Sequence, residues 1–329
     1  MNVFLMAGFA VLASGLACAA QAPIERRPAQ AQEPITTLNL SARLVTLAVN
    51  VVDDKGAPVA GLDKADFRLM EDGREQKISF FEKESATPLS IVLAIDGSES
   101  TLRNERLEKE AAKKFVQTLL RPQDELDLME FADTVREIVA FTPDKSRIDN
   151  GLGNLRHGAA TALYDAIFLA SQRLGETSTA NGRRRVLVLI TDGGDTAHGS
   201  RYEQALEQAQ RAGAIIYSLI VIPIYADAGR NTGGEHALIQ MSEDTGGKYY
   251  YIEDAKDLAP AFRKVSDDLR TQYVLGYYAP QKAARPDGFR VLKVDVTDVA
   301  MKGKVGLRYR TGYYAGPGTT EKTVKQERR

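Results

Sequence analysis

The sequence predicts a doubly wound α/β domain with a mostly parallel sheet and one antiparallel edge strand, flanked by antiparallel β segments. Three observations carry this prediction. Continuous apolar runs at 89–95, 186–190 and 214–222 suit strands buried on both faces of a parallel sheet. Stretches with helical spacing of apolar residues separate them, giving the strand–helix alternation of a layered α/β unit. Outside residues 88–271 the pattern changes to alternation with a period of two, the signature of half-buried antiparallel strands.

Taken in order, the chain starts uncharged through Ile24, with an apolar, small-residue stretch over 3–20. This reads as a secretory signal over 1–22, cut between about Ala19 and Ala22. A retained membrane anchor is the alternative, because about 18 apolar residues just span a bilayer. Residues 23–36, rich in Ala, Gln, Pro and charge, form a linker. The segment 37–84 is expected to be an N-terminal β domain. Val45, Leu47, Val49 and Val51 share one strand face, Phe67 and Leu69 mark a second strand, and Ile78 and Phe80 a third. Asp53-Asp54-Lys55-Gly56 and Glu71-Asp72-Gly73 supply the turns.

The central domain spans 88–271. After its first buried run, Leu107, Ala111, Phe115 and Leu119 line one face of a helix. Strands over 125–131 and 135–141 are joined by Ala132-Asp133-Thr134, too short for a crossover, so this pair should be antiparallel. Leu163, Ile167, Ala170 and Leu174 mark another helix, and further helices are expected over 202–212, 236–245 and 256–269. Arg183-Arg184-Arg185, just before a buried run, reads as the solvated start of a strand. Tyr249, Tyr250 and Tyr251 read as strand filling. The segment 272–315 returns to alternation, with Leu292, Val294 and Val296 on one strand face and Val305, Leu307 and Tyr309 on another. It is expected to pack with the N-terminal β domain, and the triplet Gly-Tyr-Tyr occurs at 276–278 and again at 312–314. The tail 316–329 is polar and expected to be disordered.

The chain's 43 basic side chains nearly balance 44 acidic ones, for a net charge of −1. There is no global field to hold nucleic acid, and no integral span is expected once the signal is removed. Cys18, the only cysteine, lies inside the signal, which excludes disulfides and thiol catalysis from the mature chain.

Ligands of doubly wound sheets bind beyond the carboxyl ends of the strands. Three such places carry oxygen donors here: Asp96-Gly97-Ser98-Glu99-Ser100, Thr161 at the start of a helix, and Thr191-Asp192-Gly193-Gly194-Asp195. With no matching His or Cys, hard oxygens suit Mg²⁺, or Mn²⁺, rather than Zn²⁺. Gly97 and Gly193 let the backbone turn tightly beside the two carboxylates. Asp165 and Asp195, with Glu99, Gly97 and Gly193, are candidates for supporting the ligands or touching a partner. His157 and His198 read as exposed loop residues near the rim.

These residues resemble the metal-ion-dependent adhesion site of the von Willebrand factor type A family. The Asp-x-Ser-x-Ser loop is Asp96, Ser98 and Ser100, the distant threonine is Thr161, and the later aspartate, in a Thr-Asp-Gly setting, is Asp192. Ala159-Ala160 before Thr161 is a departure, because Gly is common there. The β flanks and secretory start are similar to those of bacterial, Acidobacteria-type secreted proteins related to this family. The resemblance implies a Mg²⁺ site at the sheet's edge that recognises an Asp or Glu side chain of a partner protein. With the secretory start, the reading is of a binding protein and no enzyme, in a secreted, periplasmic or cell-envelope location. A structural envelope protein whose metal only stabilises the fold is the alternative. A metal-dependent hydrolase is a third reading, but aspartate-dependent phosphoryl transfer wants a second carboxylate two residues after the first, where Ser98 stands. The sequence also holds no Gly-x-Ser-x-Gly elbow, phosphate loop or His-Glu-x-x-His helix.

Overall fold

Strands that are apolar on both faces need cover on both, and the computed structural model supplies it. The structure describes residues 43–83, 87–98, 105–177, 183–222, 231–279, 288–298, 301 and 303–315. The expected signal, linker and tail, and the site candidates Glu99 and Ser100, lie outside these residues.

The central sheet is built on β5 (Leu89–Asp96), whose eight residues are all buried. Around it lie β6 (Glu125–Phe131), β7 (Val135–Thr142), β8 (Arg184–Thr191), β9 (Ala214–Val221) and β10 (Lys248–Ile252), in the order β10-β9-β8-β5-β6-β7. Every pairing is parallel except β6 with β7, the antiparallel edge that the short turn requires. Helices α1 (Glu105–Leu119), α2 (Lys145–Leu152) and α6 (Leu258–Arg270) cover one face. There Phe115 and Phe262 stack with ring centroids 4.4 Å apart, each burial stabilising by about 1.5–3 kcal/mol. Helices α3 (Leu163–Glu176), α4 (Tyr202–Ala212) and α5 (Thr232–Asp244) cover the other through Ile167, Ala209 and Leu238.

Two helices depart from the sequence expectation. α2 has too little periodicity to be expected: its apolar signal is confined to Ile148 and Leu152, and its real start signal is Asp144, whose side chain accepts from the Ser146 and Arg147 N–H groups. α5 begins at Thr232, before the expected 236. Its Thr-Gly-Gly opening has poor helix propensity, but Asn231 caps it by accepting from the Gly234 N–H at 3.0 Å.

The flanking segments form two four-stranded sheets. β1 (Arg43–Val52), β2 (Phe67–Glu71), β3 (Arg74–Gln76) and β4 (Phe80–Glu82) precede the central domain. β11 (Tyr273–Ala279), β12 (Phe289–Val296), β13 (Gly306–Arg308) and β14 (Gly312–Tyr314) follow it. The orders are β13-β1-β11-β4 and β14-β12-β2-β3, so each sheet takes two strands from each segment. Val45, Leu47, Val49 and Val51 of one sheet meet Leu69, Leu292 and Val294 of the other in a single sandwich core. Two expected strand faces shrink. Ile78 is buried but precedes β4, and only Leu307 of its trio lies within a strand, between Val305 and Tyr309.

The repeated Gly-Tyr-Tyr triplets acquire a common role. Tyr277 and Tyr313, the middle residues, both donate to the Glu71 carboxylate, Tyr313 at 2.9 Å, while Arg290 pairs with its other oxygen. Glu71 and Arg290 are each 2% exposed, so the ion pair is sealed inside the sandwich. The sandwich abuts the α/β domain through the Arg308–Asp268 ion pair (2.8 Å) and through Arg211 of α4, 4.2 Å from the ring centre of Tyr314.

Candidate metal centre

β5 and β8 are parallel neighbours, with Ile95 opposite Ile190. The chain leaves β5 toward β6 on one side and leaves β8 toward β9 on the other. Their carboxyl ends therefore flank the point where the winding reverses, the place where doubly wound sheets form their binding crevice. Asp96 is the last residue of β5 and Asp192 follows the last residue of β8.

Beyond Asp96 the loop is pressed against its neighbours. The Gly97 N–H donates to the Phe131 carbonyl (2.8 Å), and the Gly97 carbonyl accepts from the Gly158 N–H (3.1 Å). A Cβ on residue 97 would strike the Arg156 carbonyl, so only glycine allows this approach. Ser98, 4% exposed, then forms a parallel bridge with Gly158, tying the first loop to the one that carries Thr161.

Thr161 lies two residues before α3. Its N–H donates to the Thr196 hydroxyl at 2.8 Å, and its carbonyl accepts from the Thr196 and Ala197 N–H groups. Asp192 Oδ1 accepts from the Gly194 N–H at 3.0 Å. A Cβ on Gly194 would stand 3.3 Å from Asp192 Oδ1 and 4.0 Å from Thr161 Oγ1, so both oxygens border the same glycine. Gly193 has φ +86°, a left-handed conformation that lets its loop turn back against the start of α5.

Asp96 is 2% exposed. Its carboxylate accepts from the Thr191 hydroxyl at 2.6 Å and the Ser98 N–H at 2.9 Å. Burial, before anything else, pushes this carboxyl up to about 6; the bonds from Thr191 and Ser98 pull it down, and the charge of Asp192 adds to the rise. A cation placed among these oxygens would oppose that rise.

The structure thus brings Asp96, Ser98, Thr161 and Asp192 to the rim of one crevice. Among the described residues no three His, Cys, Asp or Glu side chains gather around a point, so a bound ion would depend on hydroxyls as well as carboxylates. Two carboxylates with neutral hydroxyls, all hard oxygens, fit Mg²⁺ or Mn²⁺.

Two acidic candidates hold the backbone of neighbouring segments. Asp165 accepts from both the N–H (2.7 Å) and the hydroxyl (2.6 Å) of Ser200, anchoring the loop before α4. Asp195 accepts from the Tyr164 N–H at 3.3 Å in the first turn of α3. His157 and His198 are exposed. Three contributors have no role assigned from the sequence. Thr191 bridges Asp96 and the Gly193 N–H, Thr196 holds Thr161, and Asp133 accepts from the Ala160 N–H at 2.9 Å. Only Thr191 has a visible signal, its place directly before Asp192.

Residues 91–195 match the von Willebrand factor type A domain family, so the chain carries a domain of that family. No curated protein matches the chain. Solved structures similar to it include an aerotolerance-related membrane protein from Bacteroides fragilis, at 20% identity and TM-score 0.43, covering 54% of this chain and 98% of that one. A von Willebrand factor type A protein from Catenulispora acidiphila aligns at 12% identity and TM-score 0.49, covering 84% and 75%. Proximal thread matrix protein 1 from the mussel byssus, described with a zinc-occupied MIDAS motif, aligns at 18% identity and TM-score 0.47, covering 62% and 50%.

Proposed function

We propose that the α/β domain is a metal-dependent protein-binding module, and that it works outside the cytoplasm. Asp96, Ser98, Thr161 and Asp192 would hold the ion, with Ser100 as the donor assigned from the Asp-x-Ser-x-Ser pattern. The observation that carries the reading is the cluster of oxygen donors itself. It gathers one buried and one half-buried carboxylate with two hydroxyls at the reversal of the sheet. A bound Mg²⁺ or Mn²⁺ would supply an open coordination position for an outside carboxylate. The chain's own residues set the geometry. Thr191 orients Asp96, Thr196 fixes the backbone of Thr161, and Gly97 lets the first loop lie against the second.

The reading is of a binder rather than an enzyme, because Ser98 occupies the place where a phosphoryl-transfer site would keep its general acid. Export rests on the uncharged, small-residue start of the sequence. No helix among the described residues is long and apolar enough to cross a membrane.

The test is calorimetry of the wild type and Asp96→Ala, titrated first with Mg²⁺ or Mn²⁺ and then with a partner captured from cell-envelope extract. Wild-type protein should bind the ion and then the partner, and Asp96→Ala neither. Equal capture of the partner with and without chelator would make the ion structural.

A further inference from the structure

A cavity of about 460 Å³ lies between the sandwich and the α/β domain, at the amino-terminal end of the central sheet. It is bounded by β1, the starts of β8 and β9, the end of α4, and the strand-and-turn segment 310–314. Arg184 begins the eight-residue β8, whose far end leads to Asp192, so roughly 25 Å separates cavity and metal crevice. A ligand in this cavity would therefore be independent of the proposed metal site.

Five arginines, Arg183, Arg184, Arg185, Arg211 and Arg310, line this cavity, and no Asp or Glu among the described residues does. Some of their charge is met behind the wall: Arg183 lies 3.7 Å from Glu125, and Arg211 pairs with Glu207 at 2.6 Å. Arg310 donates to the Thr46 carbonyl and lies over the Tyr313 ring. Arg184 and Arg185 are different. Arg184 is only 7% exposed and donates to neutral acceptors, the Gln272 side chain and the Leu269 carbonyl (2.7 Å). Its Nε is buried without a hydrogen-bond partner among the described residues. Arg185 donates to the Ala212, Gly175 and Thr177 carbonyls and the Thr177 hydroxyl.

A buried guanidinium held only by neutral acceptors is costly unless an anion joins it. Burial, the leading cause, lowers Arg184 to about 10, and the charges of Glu82 and Asp124, which act through space and not by a hydrogen bond, offset it only in part. Leu44, Ala48, Ile215, Val274 and Tyr313 complete the wall with apolar and aromatic surface. The volume falls in the range of small-molecule sites, which combine an apolar body with a few placed charges.

We propose that this cavity binds a small organic oxyanion, an aromatic or aliphatic body carrying a phosphate or carboxylate, with the head group on the arginine wall. Guanidinium groups match both head groups in planar, two-pronged hydrogen bonding.

The experiment uses full-length protein dialysed free of metal, titrated with phenyl phosphate, benzoate and inorganic phosphate by calorimetry at fixed ionic strength. Phenyl phosphate or benzoate should bind saturably and at least tenfold more tightly than inorganic phosphate; the tighter of the two identifies the head group. Arg184→Gln should weaken that binding at least tenfold. Since Arg184 is buried and its variant can fail to fold, Arg310→Gln and Arg211→Gln provide the second measurement, each with a several-fold loss. Absence of saturable binding by any probe overturns the proposal. So does unchanged affinity in the arginine variants, or an organic probe that binds no better than inorganic phosphate.

Discussion

Glu71 in the sandwich and Asp96 in the central sheet are equally hidden, at 2% exposure each, yet their surroundings differ in kind. Glu71 meets a guanidinium, Arg290, and two tyrosine hydroxyls. Its neighbours bear the consequence: burial and then the bond to Glu71 push the Tyr277 hydroxyl far up, and burial leads the rise of Tyr313 to about 12. Asp96 takes a hydroxyl and a backbone N–H and lies in the field of another carboxylate, Asp192. A carboxylate compensated by the fold is structural, whereas one set against a like charge at a sheet's open end has the charge balance that the proposed cation would complete.

The largest effect should come from breaking the compensated site. Glu71→Ala leaves Arg290 charged and buried, and should cost about 3–5 kcal/mol in urea denaturation. By contrast, metal-free Asp96→Ala should be as stable as the wild type or more so, because it removes a buried charge and its repulsion. A loss for Asp96→Ala as large as that for Glu71→Ala would erase the distinction.

Adding ion should then separate the proteins. At an ion concentration 100 times its dissociation constant, the wild type should gain about 2.7 kcal/mol of stability and Asp96→Ala nothing. Thermal unfolding with and without Mg²⁺ or Mn²⁺ reads this directly.

Asp127, fully buried in β6, is an intermediate case, with Arg173 at 3.8 Å but Glu137 also close by. Burial, reinforced by Glu137, raises its carboxyl well above the usual range. An acid whose folded value is raised costs stability once it ionises. Wild-type stability should therefore fall as pH climbs from about 4, its unfolded value, through the raised folded value. Asp127→Asn should flatten that decline, retaining about 1–2 kcal/mol more than the wild type between about pH 5 and pH 9. Parallel pH profiles for the two proteins would remove Asp127 as the cause.

The smallest effects belong to the hydroxyls. Ser98→Ala should weaken the ion by about tenfold or less, since water can replace a neutral donor. Thr161→Ala should spare ion affinity more than partner affinity. Titrating the ion and then the partner into each variant separates the two, and equal losses at both steps in Thr161→Ala would contradict its assignment.

Much of the central sheet and of the metal crevice is legible in the sequence. Three largely apolar runs and a three-residue turn specify the sheet and its antiparallel edge, because a strand covered on both faces is apolar on both. The order Asp96, Ser98, Thr161, Asp192 names the oxygen donors of the proposed site, because metal chemistry would select side-chain types that sequence displays. Short elements are harder. α2 and the opening turn of α5 carry little periodicity, and their caps, Asp144 and Asn231, become informative only once backbone N–H groups converge on them.

What the sequence determined by itself is local: which residues are apolar, at what spacing, and which bear oxygen or charge. What tertiary structure decided is how distant segments share space. Nothing in the spacing of residues 43–82 or 273–314 reveals that their strands would mix within both sheets of the sandwich. Nor does it reveal that Tyr277 and Tyr313 would meet on Glu71. Arg183-Arg184-Arg185 reads as a solvated run by composition, yet Arg184 is 7% exposed at the wall between two domains. The physical reason is common to all three. Burial and charge compensation depend on contacts between residues far apart in the chain, and a periodicity read within one segment carries no record of them.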